Sequence, residues 1–282
     1  MASVLRTRAE LRAALAAAPR PFGLVPTMGW LHDGHRQLIR QARRESATTV
    51  VTIFVNPRQF TEAADYGRYP RDEPHDVDLC EDEGVDIVWA PPADEVYVPG
   101  FDTTVTVGTV GRPLEGAARP GHFAGVATVV AVLLDLVGAE RAYFGQKDAQ
   151  QVMVIRRMAL DLALPTEIVA CPTVREADGL AMSSRNVHLR PDERAAAPVV
   201  RRALLEARAR WEAGERDAEV LRLTMQRTLA AEPLAVPEYV SVADAGTLAE
   251  LSEVDGPALL SVAVRFGATR LIDNEPLGPL PR

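Results

Sequence analysis

Apolar runs of strand length, each bounded by turn residues, alternate with segments of helical period from residue 22 to residue 173, and this alternation most narrows what the chain can become. A strand covered on both faces reads as a nearly continuous apolar run, so the pattern specifies a parallel sheet with helices on either side. Strands are expected at 22–26, 48–55, 85–90, 141–144 and 167–173, with helices over 34–45, 73–83, 122–137 and 148–162. Beyond Asn186 the pattern changes. A long Ala/Arg/Glu helix over 191–213 and a second over 217–231 lead to two strand-like runs, 238–243 and 259–265, and a Pro-rich tail. The chain therefore divides into an α/β N-terminal domain (1–185) and a smaller α+β C-terminal domain (186–282), the latter placed where it suits a lid.

Composition excludes several classes. The 282 residues include 31 basic and 39 acidic side chains, a net charge of −8 with a pI near 5.3. Such a chain repels nucleic acid unless its cations gather in one patch, so no nucleic-acid partner is expected. Two cysteines, Cys80 and Cys171, are too few for a disulfide framework or a Cys-based metal site, which suits a reducing cytoplasm. The longest apolar stretch, 123–137, is broken by Thr128 and Asp135 and is shorter than the ~20 residues of a membrane span. The Arg-rich N-terminal residues lack a secretory apolar core and read as a native helix. Among the 31 basic side chains Lys147 is the single lysine. Heavy Ala and Arg usage matches a codon bias; the sharper reading is that lysine survives only where arginine cannot replace it.

In a parallel α/β sheet, ligands bind beyond the carboxyl ends of the strands, so the loops that follow them are where chemistry is sought. The first strand ends in PTMGWLHDGH (26–35). Gly29 and Gly34 allow close backbone approach, and the helix start presents N–H groups and a positive dipole suited to phosphate. His32 and His35, three apart, share a helix face and can donate to a triphosphate; a zinc role would want a third ligand, and none is nearby. VNPRQF (55–60) offers Asn56 and Gln59, uncharged groups that suit a hydroxylated substrate or simply a polar turn. In YPRDEPHD, Asp76 is either a Mg²⁺ contact or part of a solvated helix face. FGQKD (144–148) carries Lys147, a compact charge able to follow a moving phosphate, and Gln151 on the next turn points toward the same crevice. After the fifth strand, Ser183, Ser184 and Arg185 resemble a clamp for triphosphate oxygens. Arg119 and His122, in ARPGHFAGV (118–126), form a rim or cap the central helix.

In this order, these motifs resemble the pantoate–β-alanine ligase family of the HIGH-motif nucleotidyltransferase superfamily. The resemblance spans nearly the whole chain through PTMGWLHDGH, VNPRQF, YPR, RPGHF, FGQKDAQQ and DGLAMSSRN. It implies a Rossmann-like N-terminal domain that binds ATP and pantoate. The implied reaction joins (R)-pantoate to β-alanine with cleavage of ATP to AMP and pyrophosphate through a pantoyl adenylate, with Mg²⁺, in a cytoplasmic homodimer. By motif, Met28, Gly29, Trp30, Leu31, His32, Asp33, Gly34 and His35 line the ATP site, together with Gly145, Gln146, Lys147, Asp148, Val174, Met182, Ser183, Ser184 and Arg185. His35 is the residue assigned as proton donor, and His32, Lys147, Ser183, Ser184 and Arg185 complete the catalytic set. Gln59 and Gln151 hold pantoate, Gln59 also lying near the β-alanine position. Ala124, Val132 and Ala149 depart from the family pattern, which often has Arg, Lys and a bulky aromatic there. Two other readings remain. A nucleotidylyltransferase shares HxGH but wants extra cations for a substrate phosphate. A silent nucleotide-binding protein is expected to have lost Lys147 or a histidine.

Overall fold

The computed structural model describes residues 3–60 and 63–279. Two compact units divide the chain, Met1–Pro172 and Thr173–Arg282. The first contains strands β1 (Ser3–Leu5), β2 (Phe22–Thr27), β3 (Thr48–Ile53), β4 (Ile87–Trp89), β5 (Arg141–Gly145) and β6 (Glu167–Cys171). Its helices are α1 (Arg8–Ala17), α2 (Asp33–Glu45), α3 (Ala63–Arg68), α4 (Glu73–Asp82), α5 (Ala93–Val96), α6 (Glu115–Ala118), α7 (His122–Val137) and α8 (Ala149–Asp161).

All six strands run parallel in the order β1-β4-β3-β2-β5-β6. From β2 the chain proceeds outward through β3 to β4 on one side, and from β5 to β6 on the other. Right-handed crossovers that leave in opposite directions put their helices on opposite faces. Thus Leu38, Ile39 and Ala42 of α2 and Leu79 and Cys80 of α4 share one core with Val25, Val51, Val88 and Tyr143. Helices α7 and α8 pack on each other, on β2 and on β6. Because β2 and β5 are neighbours whose connections diverge, a crevice opens beyond their carboxyl ends. The two motifs richest in chemistry, HxGH and FGQKD, follow these two strands.

The second unit contains α9 (Pro191–Ala196), α10 (Val199–Glu212), α11 (Ala218–Ala230), β7 (Val236–Asp244), β8 (Ala258–Phe266) and β9 (Thr269–Leu277). Its sheet is antiparallel in the order β7-β8-β9, covered by α10 and α11 through Leu204, Leu221, Met225, Val262 and Phe266.

Four expectations need correction. Residues 3–5, read as helix, form β1, because pairing with β4 outweighs the local preference. The helix expected over 191–213 is broken at Pro198, which lacks the N–H that a continuous helix needs there. The tail begins with an unexpected strand, β9, whose Asp273 and Glu275 look like loop residues but are buried against Arg175, Arg201 and Arg208. The unit boundary lies at 172, not 185, because 173–186 folds onto the second unit: Arg175 makes a two-pronged bond to Asp273, and Arg194 holds Glu176 and Asp178. Residues 280–282 of the expected Pro-rich tail lie outside the described residues. Among the described residues no helix is long and apolar enough to cross a membrane.

One close approach matters for the site. A Cβ on Gly125 of α7 would lie 2.2 Å from the Arg58 carbonyl oxygen and 2.7 Å from the Gln59 nitrogen. Alanine is favoured over glycine in a helix interior by about 1 kcal/mol, whereas overpacking costs about 1–3 kcal/mol. Gly125→Ala is therefore expected to lower the melting temperature despite its helix propensity; a stabilised variant would contradict the close packing of α7 on 57–59.

Candidate active site

The loop between β2 and α2 is held from below. Its backbone turns through the left-handed region at Gly29 (φ 81°) and Trp30 (φ 52°), which is unfavourable for a tryptophan. Asp76 of α4, 1% exposed, secures it: Oδ2 accepts from Trp30 N at 2.9 Å and Oδ1 from Leu31 N at 2.6 Å. Burial raises the carboxyl pKa while these two N–H groups pull it down. A carboxylate used in this way is a loop anchor. Asp76, expected as a Mg²⁺ contact or a solvated acid, faces the backbone instead.

The two histidines cap α2 reciprocally. His32 Nδ1 accepts from Gly34 N at 3.1 Å, and His35 Nδ1 accepts from His32 N at 3.2 Å, the rings lying 4.2 Å apart. A backbone N–H can only donate, so each Nδ1 must be the unprotonated nitrogen and each neutral ring carries its proton on Nε2. Burial lowers the His35 pKa to about 3, helped by the charges of His32 and Lys147, and it lowers His32 with the help of Lys147. At neutral pH both rings are thus neutral Nε2–H donors at the positive end of a 13-residue helix.

Lys147 sits in a short 3-10 turn, Gln146–Asp148, at the end of β5. Its Nζ is 3.6 Å from Asp148 Oδ1 and its side chain is 16% exposed. The structure thus brings His32, His35 and Lys147 together electrostatically across adjacent strands. Gln151 is partly exposed on the first turn of α8. Its neighbour Gln150 is buried and bonds to Val110 O, Pro113 O and Glu115 N, holding the segment before α6.

Beyond β3, Gln59 is held at both ends. Its side-chain oxygen accepts from Asn56 Nδ2 at 3.0 Å, and its carbonyl oxygen is met by His122 Nδ1 at 2.8 Å. Arg119 approaches His122 Nε2 at 3.3 Å and can only donate, so Nε2 is the acceptor and Nδ1–H is the donor to Gln59. Burial lowers the His122 pKa to about 4, keeping this tautomer neutral. Arg119 and His122, expected as a rim or a helix cap, therefore clamp the VNPRQF turn.

In the second unit, Arg175 pairs with Ala181 in a bridge around Gly179, and Met182 N bonds to Val174 O. Ser183 caps the following turn through Arg185 N, while Asn186 Nδ2 bonds to Glu176 and to Ala181 O. The Arg185 side chain is exposed.

The family model for pantoate-beta-alanine ligase matches residues 3–276. The chain belongs to the pantoate-beta-alanine ligase family. Pantothenate synthetase from Roseiflexus castenholzii is 59% identical over 271 residues, 96% of this chain and 98% of that protein. The enzyme from Agrobacterium fabrum is 50% identical over 98% of this chain and 96% of its own length. The crystal structure of pantothenate synthetase from Thermus thermophilus superposes with a TM-score of 0.92 at 48% identity, covering 98% and 99% of the two chains. A pantoate-beta-alanine ligase from Francisella tularensis, complexed with beta-gamma ATP and beta-alanine, superposes with a TM-score of 0.79 at 31% identity, covering 98% and 97%.

In this ligase, sequence reasoning missed Asp76 as an anchor, Gln150 as a loop holder and Tyr97 as a partner of Asn56. The QQ pair after KDA was the available signal for Gln150; nothing local marks the other two. A hydrogen bond to a charged group contributes about 1.5–3 kcal/mol, which is about 10- to 100-fold in a rate. Asp76→Asn, which sets an NH₂ against one backbone N–H, is expected to lower kcat/KM for ATP by that factor with far-UV circular dichroism unchanged; steady-state constants within twofold of the parent would remove the anchoring role.

Proposed function

We propose that this protein condenses (R)-pantoate with β-alanine to form pantothenate, cleaving ATP to AMP and pyrophosphate through a pantoyl adenylate. The observation that carries the reading is the pair of neutral imidazoles capping α2 with Nε2–H outward, close enough to feel the charge of Lys147 at the end of the neighbouring strand. In the first step the pantoate carboxylate attacks the α-phosphorus in line, and the bond to pyrophosphate breaks. The enzyme must orient the reactants and meet charge spreading over the phosphate oxygens. We assign this to the α2 N-terminus, His32, His35 and Lys147, and by family motif to Ser183, Ser184 and Arg185, with Val174 and Met182 beside the nucleotide. Because His35 is neutral well below pH 7, its family role as proton donor fits a hydrogen bond given from Nε2–H. Gln59 and Gln151 are assigned to pantoate. In the second step the neutral amine of β-alanine attacks the acyl carbon, AMP leaves with the bonding pair, and the nitrogen loses a proton.

Neither step needs a cysteine. Cys80 and Cys171 are buried, with thiols pushed up to about 12 and about 11 by desolvation. Among the described residues no three His, Cys, Asp or Glu side chains converge on a metal position, which fits a Mg²⁺ carried on the nucleotide phosphates with a single carboxylate contact. Asp148, partly exposed beside Lys147, is the carboxylate that fits; Asp76 is committed to the loop. Bound there, Mg²⁺ would neutralise phosphate charge. A cytoplasmic homodimer is part of the same proposal. Transfer of a nucleotidyl group to a phosphorylated acceptor is not favoured, given relatives at 50–59% identity that are pantothenate synthetases.

With ATP, Mg²⁺ and pantoate but no β-alanine, the enzyme is expected to exchange labelled pyrophosphate into ATP; an enzyme that forms pantothenate yet shows no such exchange would rule out the adenylate. Lys147→Arg keeps the charge but replaces a mobile point donor by a planar fork, and is expected to lower kcat by about tenfold or more. Turnover within a few-fold of the parent would return the lone lysine to compositional drift.

A further inference from the structure

The polar network behind Gln59 has a direction that its backbone contacts settle. Asn56 is 1% exposed and meets four groups. Its Oδ1 accepts from Arg58 N at 3.2 Å and from the Tyr97 hydroxyl at 2.7 Å; its Nδ2 donates to Gly125 O at 3.1 Å and to Gln59 Oε1 at 3.0 Å. Two of these partners have no choice. The Arg58 N–H only donates and the Gly125 carbonyl only accepts, so the Asn56 amide has one allowed orientation. It follows that the Tyr97 hydroxyl must donate, and that the Gln59 atom facing Asn56 must be its oxygen. The Gln59 NH₂ is thereby turned away from the network, where, among the described residues, it meets the Met28 thioether, a weak acceptor. The tyrosine ring is independently fixed, with Arg58 stacked 4.7 Å from its centroid and Phe101 edge-on at 5.0 Å. Burial pushes its hydroxyl up to about 12, so it stays a donor across the working pH range.

We propose that Tyr97 is a positioning residue that braces the Asn56 amide in the orientation dictated by its backbone contacts, holding Gln59 as a hydrogen-bond donor, so that this position selects an acceptor oxygen of the hydroxy acid. The inference rests on the assignment of Gln59 to pantoate made above and adds the polarity of the contact and the residue that braces it. A ligand hydroxyl here must accept, and a carboxylate is the better match because the bond becomes charge-assisted. Were the amide reversed, Gln59 would offer an oxygen and repel that carboxylate.

Two substitutions and one spectrum test this. Tyr97→Phe removes one hydrogen bond while keeping the ring, and is expected to raise KM for pantoate about three- to tenfold with KM for ATP unchanged. Gln59→Glu offers only acceptors when ionised; it is expected to lose kcat/KM for pantoate by about 100-fold near neutrality and to recover part of it as pH falls and the carboxyl gains a proton, a profile the parent lacks. In the unliganded protein, the side-chain amide ¹H–¹⁵N resonances of Asn56 and Gln59 are expected to shift in Tyr97→Phe. If those resonances are unmoved, or Gln59→Glu uses pantoate as well as the parent, or Tyr97→Phe weakens ATP and pantoate equally, the proposal is overturned. A parent enzyme that does not consume pantoate would instead overturn the functional reading, and the amide spectrum would still decide the role of Tyr97.

Discussion

The Asp76 carboxylate lies under the turn from β2 to α2 and takes the backbone N–H groups of Trp30 and Leu31, one on each oxygen. A tryptophan at positive φ costs about 1 kcal/mol or more, and the buried, charge-assisted bonds offset that cost. Once the turn is fixed, the rest of the site follows in sequence. The peptide N–H groups at the start of α2 point at the Nδ1 atoms of His32 and His35, which places both protons on Nε2. Desolvation then keeps both rings neutral. The helix end thus presents donors that require no proton uptake, while the formal charge is left to Lys147. Each of these properties is inherited from the direction of the backbone, which Asp76 controls from another helix.

The neighbouring half of the crevice uses the same logic with uncharged groups. Gln59 is gripped by its side chain through Asn56 and by its carbonyl through His122, and the glycine at 125 lets α7 come close enough for His122 to reach that carbonyl and for the Gly125 carbonyl to accept from Asn56. Groups whose hydrogen-bonding role is invariant, such as a peptide N–H or an arginine, settle the roles of ambivalent ones, such as an amide or an imidazole.

The parallel sheet was legible because β2 and β3 are buried on both faces and read as runs of apolar and β-branched residues without charge. The loops that bear His32, His35, Lys147 and Gln59 were legible for the same reason, since strand ends locate them. Strand β9 was hidden by Asp273 and Glu275, carboxylates that become core residues only when Arg175, Arg201 and Arg208 arrive from elsewhere in the chain. Asp76 was seen as an acid but not as an anchor, because its function depends on which way it faces, and its partners lie 45 and 46 residues away. The RPGHF segment offered a cap or a rim; that it clamps Gln59 depends on a contact across 63 residues. Side-chain type can be read locally, whereas tautomer and amide polarity belong to partners brought in by the fold.

The scarcity of lysine has a chemical consequence of another kind. Guanidinium groups are inert to reagents that acylate primary amines, so the many arginines that solubilise this surface leave it silent to such chemistry. Apart from the chain's amino terminus, the one amine is Lys147, at the carboxyl end of β5. Attachment of an amine-directed label at Lys147, told apart from the amino terminus by peptide mapping, therefore reports on that position without any engineered handle, and its rate measures how accessible the crevice is.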